Sequence, residues 1–184
     1  MQFFYASSMF GKPRKVDSEQ ELYDIALRAL MRRAYSVAEM KKYLAKRSDT
    51  ELLMRVVMAR LRERGQLDDA KYAKAFVRQR TEIRKQGRFR IARDLRGRGI
   101  ADPEIAAALA ETAELTDEGA LVRKRIERKL KSLRGEVDER KMASIYGSLL
   151  RAGFPSDLVR RELKRMTKEE LPEVDQGEGP DAER

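Results

Sequence analysis

The chain has no cysteine, no histidine and no tryptophan. Lacking the first two, it has no disulfide, no thiolate nucleophile, no Cys/His zinc site and no imidazole general base. The want of cysteine also agrees with a cytoplasmic protein. No stretch approaches the ~20 apolar residues of a membrane span, so no membrane partner is expected. Met1–Phe10 is apolar and aromatic, but it has no basic leader and is cut off by Gly11, Lys12 and Pro13, which is unlike a secretion signal. Gly11-Lys12 has no phosphate-loop spacing before it. Asp68-Asp69 looks like a paired carboxylate site, but neighbours on a helix diverge by about 100°. Acids there suit a helix N-terminus better than a metal site. These absences predict a protein that is not an enzyme and holds no cofactor and no metal.

Proline is also sparse, at positions 13, 103, 155, 172 and 180 only. Between Glu19 and Met166 apolar residues recur at spacings of three and four, a helical period, with no alternating strand pattern. Ser18 with Glu21, and Ser36 with Glu39, have capping-box spacing. Asp68, Asp102 before Pro103, Thr116 and Ser156 are further expected N-caps, while Gly65, Gly99 and Gly153 suit helix ends. About nine helices result.

Aligning the chain on Leu44, Leu95 and Leu149 reveals a repeat with spacings of 51 and 54 residues. Four residues before each anchor stand Met40, Ile91 and Ile145; ten after stand Met54, Ile105 and Val159; fourteen after stand Met58, Leu109 and Leu163. Such a unit of about fifty residues buries little surface alone, so stacked units are expected. The predicted fold is all-α, an elongated curved array of three tandem three-helix repeats at 18–66, 67–115 and 116–168. A flexible arm (1–17) is expected before them and a disordered acidic tail (169–184) after them.

What the chain has in abundance is charge: 39% of its residues are Asp, Glu, Lys or Arg, and the net charge is +10. Residues 1–168 hold 40 basic against 24 acidic side chains, because the tail is acidic. Such a surface favours a polyanion or a nucleoprotein. The densest segment carries Arg78, Arg80, Arg84, Lys85, Arg88, Arg90, Arg93, Arg96 and Arg98 against only Glu82 and Asp94. Arginine predominates, which suits bidentate contact to phosphate or carboxylate. A second block holds Arg123, Lys124, Arg125, Arg128, Lys129, Lys131 and Arg134, around a stripe of Val122, Ile126, Leu130 and Leu133 that accounts for packing but not for the cations. From the two blocks we take the first nine residues and Arg123, Lys124 and Arg128 as contact candidates. Tyr72 and Phe76, four apart, read as a core face rather than a base-stacking platform. Phe89 is open to three roles: hinge contact, packing residue or partner anchor.

Three stretches carry a family resemblance: Ala26–Leu44 (ALRALMRRAYSVAEMKKYL), Leu61–Arg80 (LRERGQLDDAKYAKAFVRQR) and Ile91–Ile100 (IARDLRGRGI). Across roughly residues 20–166 the chain resembles the RecX regulators of the RecA recombinase. The resemblance implies a monomer that binds the groove of the RecA–single-stranded DNA filament and restrains strand exchange, ATP hydrolysis and coprotease activity. It also implies some affinity for single-stranded and possibly double-stranded DNA. The sequence departs from the family at Arg47-Ser48, where a glycine is usual, and most broadly in the third repeat. The family has no catalytic residues to carry over. A helical DNA-binding protein acting independently of RecA is the alternative, and the sequence leaves open whether protein or DNA receives the arginines.

Overall fold

The computed structural model describes residues 14–133 and 138–169, and among them the chain is helical with no strand. The helices are α1 (Glu19–Arg32), α2 (Val37–Ala45), α3 (Glu51–Glu63), α4 (Asp69–Glu82), α5 (Arg88–Arg96), α6 (Asp102–Leu115), α7 (Glu118–Ser132), α8 (Glu139–Arg151) and α9 (Ser156–Glu169). They form two compact units, residues 1–116 and 117–184.

In the first unit, α1, α2 and α3 pack around Leu22, Met40, Leu44, Val57 and Leu61, all fully buried. A second apolar cluster joins α4, α5 and α6 through Val77, Ile91, Leu95 and Ile105. The second unit closes α7, α8 and α9 over Val122, Ile126, Leu149, Phe154 and Val159. The anchor leucines and the two columns four before and ten after them are buried throughout, while in the last column Met58 and Leu163 are buried and Leu109 is half-buried.

The helix ends follow from the sequence with four adjustments. Ser36 and Glu39 form the complete reciprocal cap: the Glu39 amide donates to Ser36 Oγ at 3.1 Å and the Ser36 amide donates to Glu39 Oε2 at 3.3 Å. At Ser18 the hydroxyl accepts from the Glu21 amide. Asp102 does not cap α6; its carboxylate is taken by Arg96 at 2.7 Å, and Ala101 occupies the cap position. Thr116 closes α6, while Asp117, one place later, caps α7 by accepting from the Ala120 amide at 3.1 Å. Ser156 is the first residue of α9 rather than its cap, because the Pro155 carbonyl begins the ladder by accepting from Val159.

The fourth adjustment concerns Val16, which the sequence assigns to the flexible arm. It is buried in the first core, and it forms a parallel bridge with Ser48. Its amide donates to the Arg47 carbonyl at 2.8 Å, and its carbonyl accepts from Asp49 at 3.0 Å. This pairing sits where α2 ends without the glycine found after α5 and α8. After those two helices the chain turns at Gly99 and Gly153, with positive φ, and Ile100 and Phe154 donate back to Leu95 and Leu149. After α2, Ser48 instead donates to Leu44, and the buried segment is completed by Val16. Residues 1–13 of the expected arm and 170–184 of the expected tail lie outside the described residues, as does Arg134; Glu169 belongs to α9.

Candidate functional site

The dense basic segment runs down α4, through the turn at residues 83–87 and along α5, all in the first unit. Gln86 donates its amide to the Arg80 carbonyl, closing the end of α4, and Lys85 takes a left-handed φ of 52° to make the turn. A non-glycine residue in that region costs about 1–2 kcal/mol, so this turn is held by its surroundings rather than by its own preference. Gly87 caps α5 with no side-chain bond, and the first turn of α5 contains no acid.

The structure sorts the nine candidates of this segment. Arg78, Arg84, Arg88 and Arg93 are exposed. Arg96, also exposed, is paired with Asp102. Arg80, Lys85, Arg90 and Arg98 are half-buried. Arg80 and Arg98 lie over the ring of Phe76, at 4.7 and 5.1 Å from its centroid. Phe76 is buried and stacks on half-buried Tyr72, with centroids 6.1 Å apart. The pair thus builds a platform for guanidinium groups rather than for bases. Phe89 is 59% exposed, so of its three roles packing drops out.

Arg98 also pairs with Glu39 of α2, and Glu39 pairs with Arg33 at 3.0 Å. Burial pushes the Glu39 carboxyl up, but hydrogen bonds from Arg33 and the Ser36 amide, with the charges of Arg33 and Arg98, outweigh it and hold the group below its ordinary value. Two further hydrogen bonds reinforce the same junction. Asp69 of α4 accepts from the Val37 amide at 2.9 Å, and Ser36 Oγ donates to the Arg98 carbonyl at 2.7 Å. Asp69, expected to serve its own helix, therefore satisfies the N-terminus of α2. A Cβ built on Gly99 would stand 2.5 Å from Ala38 Cβ, so the junction is also closed sterically. Glu39 and Asp69 were not legible as site residues, because their partners Arg98 and Val37 lie 59 and 32 positions away, and Arg33 joins the site only through Glu39.

Beside this junction is a groove of about 620 Å³ whose lining includes Arg33, Tyr72, Phe76, Arg80, Ile83 and Arg98. A smaller hollow of about 480 Å³ is lined by Glu39, Arg93, Asp94, Gly97 and Arg98. In the second unit, Lys124 and Arg128 are exposed on α7. Arg123 is engaged internally, donating to buried Glu162 at 3.0 Å and to Asp117 at 3.1 Å. Both carboxylates support the fold of that unit, and Arg123 is held between them. Among the described residues no group of three or more acids is placed to hold a metal.

Residues 68–109, spanning α4, α5 and most of α6, match the family model described as RecX, second three-helix domain. A regulatory protein RecX from Halorhodospira halophila is 37% identical over 144 residues, covering 78% of this chain and 86% of that one. The chain belongs to the RecX family of regulatory proteins. A second RecX, from Thermobifida fusca, is 30% identical over 169 residues and covers 90% and 91% of the two chains. A Lactobacillus delbrueckii RecX is also 30% identical over 154 residues, but there the chain spans only 55% of the relative's length. The crystal structure of RecX from Lactobacillus salivarius superposes with a TM-score of 0.72 over 82% of this chain and 97% of that one, at 21% identity. RecX proteins and this chain therefore share the all-helical fold.

Proposed function

We propose that this chain binds in the groove of the RecA–single-stranded DNA filament and restrains RecA's strand exchange, ATP hydrolysis and coprotease activity. One observation carries the reading: the part of the chain that matches the RecX domain model is also the part where Arg78, Arg84, Arg88 and Arg93 stand exposed around one turn. The protein acts as a cytoplasmic monomer with no chemistry of its own. We read it as three three-helix repeats, at 18–66, 67–115 and 116–168, each offering cations to the filament. Several weak contacts on one chain add through high effective concentration, so a clamp across neighbouring protomers needs no single tight site. Holding protomers in one relative orientation slows turnover and obstructs the groove.

The test is RecA's single-strand-dependent ATPase with this protein added below and at equimolar ratio. Inhibition at both is expected; an unchanged rate at both sinks the reading. Tight binding to bare DNA with no effect on RecA would favour a DNA-binding protein that works alone, for which the exposed arginines also speak.

A further inference from the structure

The groove beside Phe76 has a chemistry different from that of the exposed basic face. Its floor is the Tyr72–Phe76 ring pair, and two guanidinium groups, Arg80 and Arg98, are laid over Phe76. Both Nε atoms are buried and without a hydrogen-bond partner. Buried polar atoms without a partner are uncommon in native proteins and call for an explanation. Arg80 has no ion-pair partner among the described residues, while Arg98 and Arg33 share Glu39; the one acid in the groove's lining, Glu82, is exposed against the groove's four arginines. At the rim stands Ile83, 70% exposed. A branched apolar side chain is out of place beside a polyphosphate backbone. Phe76 itself is covered, so no base can stack on it.

We propose that this groove is a protein-docking site that takes an acidic side chain next to an aliphatic one: the carboxylate meets Arg80 and the aliphatic group rests on Ile83. Planar, stacked guanidinium is matched to planar carboxylate by paired parallel hydrogen bonds. The exposed arginines of the α4–α5 turn are left for phosphate. On the function proposed above, the acidic segment belongs to the filament protein; the recognition chemistry does not depend on that.

The test uses the full chain without RecA. The capped tetrapeptide acetyl-Glu-Leu-Asp-Ile-amide is titrated in, and the Arg80 and Arg98 Nε–H resonances are followed; a fifteen-nucleotide oligothymidylate and inorganic phosphate are titrated separately. The peptide should shift both resonances saturably. Arg80→Ala should weaken it roughly tenfold, the weight of one hydrogen bond to a charged group, and Ile83→Asp, a variant that removes no packed group, should weaken it by about as much, through the lost apolar contact and the like charge set against the peptide. Arg55→Ala, on the exposed side of α3, should not. Absence of any peptide shift overturns the proposal, and so does a larger saturable shift of the same resonances by the oligonucleotide or by phosphate. Failure of the ATPase test with a positive peptide titration would reject the filament reading and leave the groove standing.

Discussion

Gly99→Ala should be the most costly glycine substitution in the first unit, and its cost is separable into two parts. Gly99 has φ +78°, and an added Cβ would sit 2.5 Å from Ala38 Cβ on α2. The backbone part is the left-handed penalty of about 1–2 kcal/mol. The steric part is overpacking between two Cβ atoms, neither of which can rotate out of the way, about 1–3 kcal/mol. Gly65 isolates the first part, since it has φ +65° and nothing within 4 Å of its would-be Cβ. Gly65→Ala should therefore cost about 1–2 kcal/mol and Gly99→Ala about 2–5 kcal/mol. Adding Ala38→Gly should remove only the steric part, giving a coupling of about 1–3 kcal/mol where independent sites agree within about 0.5. Urea unfolding followed by circular dichroism measures the wild type, the three single variants and the double variant, and amide spectra assign the loss to the first unit. Equal costs at Gly65 and Gly99, with no coupling to Ala38, would refute the idea that α2 and the turn after α5 are locked by contact.

Acid should weaken the same junction. Glu39 has a lowered carboxyl pKa in the fold, so its contribution is complete above the ordinary Glu value of about 4.3 and fades as pH falls through the lower folded value. Unfolding midpoints of the wild type should drop across that acidic window, and Glu39→Gln should flatten the drop; equal slopes would count against the assignment. In the second unit, Phe154→Ala should cost about 3–5 kcal/mol, because the ring is 1% exposed at the centre of the core; a loss below about 1 kcal/mol would mean that the unit repacks. Reversing Arg84, Lys85, Arg88 and Arg90 to Glu should leave helix content intact and weaken filament binding at least about tenfold, since each lost phosphate or carboxylate contact removes a charge-assisted bond. Undiminished inhibition of RecA by that variant would show the contact to lie elsewhere.

The helical fold was legible because it is written locally. Periodicity placed the apolar columns, and Ser36 with Glu39 announced the start of α2 three residues apart. Where expectation slipped, a neighbour competed for the same group: Arg96 drew Asp102 out of its cap, and Asp117 offered a carboxylate one position after Thr116. Val16 was hidden because nothing in its own vicinity requires burial; the need arises at Ser48, where α2 ends without glycine. The basic segment stood out as a count of arginines, but their division did not. Arg98 is tied to Glu39 and Arg123 to Glu162 across 59 and 39 residues, and only the folded chain shows that both are engaged while Arg84 and Arg128 are exposed. The groove was hidden for the same reason: Arg33 and Arg98 reach it from opposite ends of the unit's sequence.

Whether this protein occupies the RecA filament groove as a multivalent clamp, as we propose, is decided by a reconstruction of RecA–single-stranded DNA filaments assembled with the full chain. Helical density following the groove and touching adjacent protomers is expected, with the α4–α5 turn against the filament. Filaments with an empty groove, or protein found only on DNA that RecA has vacated, would contradict the proposal.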